Sequence, residues 1–170
     1  MNKIYILLSA TGTIFARTIR IYTGKPYSHV SIGLDEHCTN LYSFARTYTN
    51  NPFVGSFQHE HKDKKVFGKF PNIPCELFEI SVSNEQLEKI KEIINSMEGK
   101  KYNKLGLLCR LLKIPYNRKT RYFCSEFVAY TLKESGVYSF NKPLNFVDPI
   151  DFREIPIAKK IYSGNLHDIK

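Results

Sequence analysis

A chain of 170 residues has the length of one domain, and a domain of that size buries about two-thirds of the surface its unfolded form exposes. With 42% apolar, 24% charged and 14% aromatic residues, the composition supports a packed core and excludes a disordered chain, a collagen, a coiled coil and a disulfide miniprotein. Twenty-five basic residues against 16 acidic ones leave a formal charge of +9, which suits an anionic partner but carries no information about the fold.

In chain order, the apolar run Ile4-Tyr5-Ile6-Leu7-Leu8 is too short for a signal-peptide core and reads as a buried strand. Ala10-Thr11-Gly12 ends it, and Thr13 is placed to cap a helix through Ile14, Phe15, Ile19 and Ile21 to the Gly24-Lys25-Pro26 turn. The alternating stretch 29–34 and the return stretch 41–45, joined by a polar turn, predict an antiparallel hairpin. Residues 59–65, His-Glu-His-Lys-Asp-Lys-Lys, read as exposed loop, and 66–70 as a further strand. A second alternating strand is expected over 76–82. Ser83 and Gln86 then form an S-x-x-Q capping box ahead of Leu87, Ile90, Ile93, Ile94 and Met97 at helical spacing, closed by Gly99. The apolar segment 103–114 reads as an amphipathic helix. The last strong helix begins at Cys124, carries Phe127, Val128, Thr131 and Leu132 on one face and ends at Gly136. Residues beyond it, with Pro143, Pro149 and Pro156, read as mostly irregular.

Cys38, Cys75, Cys109 and Cys124 are spread too widely for a zinc knuckle or a dense disulfide framework, so they are expected as free thiols in a reducing compartment. No window approaches the roughly 18 to 20 apolar residues of a membrane-spanning helix. A soluble cytoplasmic protein is the expectation.

Cys124 carries the most chemical information. A thiol at a helix N-terminus meets unpaired backbone N–H groups and the positive end of the macrodipole, which favour the thiolate and prime it to attack a carbonyl carbon; the competing reading is an inert buried cysteine. A histidine must take the thiol proton and return it to the leaving group. His37 falls in a turn, His59 and His61 in the charged stretch and His167 in the tail, whereas His29 opens a strand, a rigid mount for an imidazole.

Residues 23–34, Thr-Gly-Lys-Pro-Tyr-Ser-His-Val-Ser-Ile-Gly-Leu, together with 122–128, Tyr-Phe-Cys-Ser-Glu-Phe-Val, resemble the circularly permuted papain-like thiol hydrolases, the YiiX-like branch of the NlpC superfamily, in which histidine precedes cysteine. The likeness extends over 4–34 and 121–136. It implies one α+β domain over 1–170 with a permuted papain-like fold, an antiparallel sheet with the nucleophile-bearing helix packed against it. It further implies Cys124 as nucleophile, His29 as general base and acid, and the Cys124 backbone N–H as an oxyanion donor. The family's third member is a polar residue on the strand after the histidine. Residues 41–46 offer no carboxylate there; Ser43 is the first candidate and Tyr42 the second. Tyr27 and Tyr122 are either additional oxyanion donors or packing aromatics.

Lys100, Lys101, Lys104, Arg110, Lys113, Arg118, Lys119 and Arg121 follow one another with no acid between Glu98 and Glu126. These cations are expected to border the cleft and draw an anionic substrate, or to form a solvated face. Leu105, Leu107, Leu108, Leu111 and Leu112 beside them permit contact with a lipid surface, as in the lecithin:retinol acyltransferase relatives that share the permuted architecture, or mark a buried helix face. His59, His61 and Cys75 are the candidate zinc donors, and ordinary surface roles are preferred for them. The function expected is cleavage of an amide or ester in a small-molecule, peptide or lipid substrate through an acyl-enzyme, with no cofactor, no metal and no nucleic-acid partner. Lipid-directed acyl transfer and a binding module that keeps the cleft without efficient turnover are the alternatives.

Overall fold

The computed structural model describes residues 2–48, 51–103 and 121–170. Its strands are β1 (Asn2–Ser9), β2 (His29–Gly33), β3 (Leu41–Tyr48), β4 (Asn51–Glu60), β5 (Pro74–Val82), β6 (Lys101–Tyr102), β7 (Arg121–Tyr122) and β8 (Lys159–Asn165). They form one sheet in the order β7-β6-β4-β3-β2-β1-β5-β8, antiparallel throughout except for the parallel β6–β7 pair at one edge. The helices are α1 (Ile14–Thr23), α2 (Asn84–Ser96) and α3 (Cys124–Glu134).

Burial on both faces explains why β1 is apolar without interruption. Ile4, Ile6 and Leu8 face a core shared with Val30, Ile32 and Phe78, with Ile90 and Ile94 of α2 and with Phe127 and Leu132 of α3. Tyr5 and Leu7 point the other way, against Leu41, Phe67, Ile73, Leu77 and Leu166. Along β1 the register sets Leu7 opposite Ser31 and Ser9 opposite His29. The protein is therefore α+β, with an antiparallel sheet against which the helix headed by Cys124 is packed.

Local signals place the helix ends. Thr13 Oγ1 accepts from Ala16 N at 3.3 Å, and Gly24 takes φ 66°, the left-handed turn that stops α1. In α2 the capping box closes both ways, Gln86 N donating to Ser83 Oγ at 3.1 Å and Ser83 N to Gln86 Oε1 at 2.9 Å. After α3 the chain turns at Gly136, φ 69°. The start of α3 is held by Ser125, whose buried Oγ donates to Val147 O at 2.6 Å. Ser125→Ala strands that carbonyl, and chemical denaturation should show a loss of about 1–3 kcal/mol; an unchanged midpoint would mean that this bond does not anchor the helix.

Three expectations need correction. Residues 59 and 60 are not exposed loop but the end of β4, and Glu60 is buried. The stretch 66–70 is not a strand; Phe67–Lys69 is a 3-10 turn that drives Phe67 into the second core. The tail is irregular through the 3-10 turns Leu144–Phe146 and Pro149–Glu154, but then forms β8 along β5. As an edge strand, mostly exposed and rich in lysine, β8 lacks the apolar alternation that would reveal it. Beyond Asn103, the amphipathic helix expected over 103–114 lies outside the described residues. Among the described residues no helix is long and apolar enough to cross a membrane.

Candidate active site

Cys124 is the first residue of α3, where N–H groups lack partners within the helix and the dipole is positive. His29 is the first residue of β2, and its ring is hydrogen-bonded to the Cys124 side chain. The pair thus joins a helix start to a strand start, each held by the packed core beneath it.

The imidazole is surrounded on its far side. Nε2 of His29 lies 3.2 Å from each carboxylate oxygen of Glu60 and 3.2 Å from both Ser31 Oγ and Ser43 Oγ. Each serine hydroxyl donates its one proton to Glu60 Oε2 at 2.7 Å. Their oxygens therefore turn lone pairs toward the ring, and with the carboxylate they require Nε2 to be the protonated nitrogen. Nδ1 is left to serve the thiol. The alternation of a strand puts Ser31, two residues after His29, on the same side of the sheet.

Burial by itself opposes charge on both members of the pair. For His29 it is outweighed by the attraction of Glu60 and by hydrogen bonds to Cys124 and Glu60, so the imidazole is raised from 6.5 to about 10. Glu60 moves the opposite way: burial would raise its carboxyl, but His29 and the bonds from His29, Ser31 and Ser43 hold it below the ordinary value. The result is an imidazolium–carboxylate pair. Once the thiol proton has moved to Nδ1, the imidazolium beside the sulfur and the helix N-terminus under it favour the thiolate, so the pair rests as thiolate and imidazolium. Cys38 and Cys75 show the contrast, since burial pushes both thiols up to about 12.

Cys124, His29 and Glu60 all line one cavity of about 70 Å³. Ser43 stands within the cluster and touches the carboxylate as well as the ring. Tyr42, the other candidate on β3, points away, its ring stacked on His59 at 4.8 Å and on Phe57 at 6.2 Å. Tyr27 lies against the Arg153 guanidinium at 5.3 Å, and Tyr122 packs between Phe44 and Tyr130 at 5.6 and 5.3 Å. The remaining histidines bond elsewhere: His37 to Lys170 O, His59 to Asn40, and His167 to Asp63 and Phe70 O, while His61 pairs with Asp63. Among the described residues no group of three His, Cys, Asp or Glu side chains is arranged to hold a metal ion. Of the basic stretch, Lys100 sits over the Tyr122 ring at 5.7 Å, while Lys104, Arg110, Lys113, Arg118 and Lys119, with the leucines among them, lie outside the described residues.

Glu60 and Ser31 escaped the sequence reading. Ser31 had a signal, the period of two from His29. Glu60 sits between two histidines and just ahead of Lys62 to Lys65, so its surroundings read as solvated, and only strand pairing, Glu60 opposite Leu41, turns it inward. No model of a known protein family matches this chain, and no curated protein is detectably similar to it.

Proposed function

We propose that the protein is a cysteine-dependent hydrolase of the permuted papain-like kind, in the YiiX-like branch of the NlpC superfamily, cleaving an amide or ester through an acyl-enzyme. The observation that carries this reading is the chain of contacts Cys124–His29–Glu60 in one cavity. The Cys124 proton passes to His29 Nδ1, and the sulfur forms a bond to the substrate carbonyl carbon. The tetrahedral oxyanion draws on the positive end of α3. His29 returns the proton to the leaving nitrogen or oxygen as its bond to carbon breaks. Water then adds to the thioester carbonyl, giving a proton to the same ring; the C–S bond breaks and the acid is released with the thiol restored.

A carboxylate beside the imidazole, absent from residues 41–46, supports turnover over a binding module that merely keeps the cleft. Glu60 fills the role from the next strand over. Cys38 and Cys75, free thiols like Cys124, fit a reducing compartment such as the cytoplasm.

Selective alkylation tests the proposal. At pH 7, iodoacetamide should modify Cys124 ahead of Cys38, Cys75 and Cys109, and His29→Ala should slow that reaction by about 10²-fold or more. A Cys124 rate no higher than those of the other three cysteines, Cys38, Cys75 and Cys109, or a His29→Ala rate matching wild type, would refute the proposed chemistry.

A further inference from the structure

We infer that the cavity beside Cys124 is an acyl-binding pocket that admits short apolar acyl groups and excludes long ones; the inference rests on the acyl-enzyme reading above and assigns its substrate class. Size is the first argument. The cavity measures about 70 Å³, roughly half of the ~150 Å³ that encloses a benzene ring, so it has room for an acetyl to butyryl group and none for an aromatic ring or a fatty chain.

The walls are the second argument, because they do not yield. Phe44 is fully buried and held by rings on three sides, Phe57, Tyr122 and Phe127, at 5.5, 5.6 and 5.5 Å. Phe67 is 3% exposed and packs into the second core with Leu7 and Leu77. Interiors packed in this way resist expansion by even one methylene. Besides these rings and the site residues, the described lining consists of Thr11, Ala16, Ser28, Ala45, Val66 and Tyr102, mostly small side chains that create the space. Charge is the third argument. Among the described lining residues the only ionisable side chain besides those of Cys124, His29 and Glu60 is the Tyr102 phenol, with no Lys or Arg to pair with a carboxylate on the acyl chain.

The same limit fixes which half of a substrate enters. An aromatic leaving group is too large for the cavity, so in an aryl ester the acyl side takes it. With p-nitrophenyl esters, Cys124 sulfur bonds to the carbonyl carbon, the C–O bond breaks, and nitrophenolate departs with the electron pair, leaving the acyl group on sulfur.

The experiment compares acylation of Cys124 by p-nitrophenyl acetate, butyrate and octanoate, followed by nitrophenolate release and by intact mass, each rate divided by that of the same ester with free cysteine. Acetate and butyrate should react alike, and octanoate should be at least about tenfold slower. Val66→Ala should recover part of the octanoate rate, and Ala45→Leu should slow acetate at least about tenfold. A flat chain-length profile in the wild type, or Val66→Ala leaving the profile unaltered, overturns the pocket. Iodoacetamide separates the two levels: His29-dependent alkylation of Cys124 with a flat ester profile refutes the pocket alone, whereas loss of selective alkylation and of acylation together refutes the hydrolase reading and this inference with it.

Discussion

Glu60→Gln is expected to slow iodoacetamide alkylation of Cys124 at pH 7 by about 10²-fold while leaving the fold intact. Glutamine preserves shape, so Ser31 and Ser43 keep an acceptor, yet the negative charge that outweighs burial at His29 is gone and the His29 titration should move down toward its ordinary 6.5. The amide also brings its own N–H donors to a ring nitrogen that is already a donor, which favours a turned ring or the other tautomer. A purely structural role for Glu60 would leave the imidazole titration where it is. The readouts are therefore the alkylation pH profile and the His29 imidazole shift by NMR, and wild-type behaviour in both would exclude Glu60 as the positioning residue. Glu60→Ala goes further. It leaves a half-buried imidazole without its counter-charge and two buried hydroxyls, Ser31 and Ser43, without their acceptor, and unfolding should cost about 3 kcal/mol less than in the wild type.

Stability should also depend on pH in a way set by this pair. His29 binds its proton more tightly in the folded protein, about 10 against 6.5, so its contribution is complete below pH 6.5 and drains away as pH rises toward 10. Glu60 is held below its ordinary 4.5, so its contribution is complete above pH 4.5 and is lost as pH falls through the lowered value. The pair's full contribution thus occupies the window from about 4.5 to 6.5. In a Cys124→Ala background, where no thiol proton offsets that of the ring, stability between pH 6.5 and 9 should fall by up to about 1.4 kcal/mol per pH unit relative to the same background carrying His29→Gln, the limit for one proton. Urea unfolding at pH 6, 7.5 and 9 on both proteins measures it, and parallel curves would mean that His29 has the same proton affinity folded and unfolded.

These outcomes divide along the line between local and long-range information. Thr13, the Ser83–Gln86 box, Gly24 and Gly136 act within one turn of chain, through a hydroxyl near a helix N–H or a residue free to take positive φ, so four neighbouring residues suffice to identify them. The two-sided burial of Ile4 to Leu8 is likewise written as an unbroken apolar run. Cys124 at a helix start and His29 at a strand start could be found for the same reason, and the resemblance that joined them followed from two short motifs.

Glu60 is different in kind. Its neighbours in sequence are histidines and lysines, and its burial comes from where β4 stops beside β3, a register set by many cross-strand pairs at once, in which a slip of one residue would turn Glu60 to the opposite face. That register also decided that Ser43 rather than Tyr42 meets the ring, and that Ser43 serves a carboxylate the adjacent strand does not contain. β8 was hidden likewise, because an edge strand is specified by its partner's unpaired backbone more than by its own side chains. The amino-acid order alone determined the helix starts, the apolar strand β1 and the two residues, Cys124 and His29, proposed as nucleophile and base. The carboxylate that faces His29, and the small cavity in front of the sulfur, exist only once distant strands have paired, since both depend on distances between residues that the chain itself does not hold close.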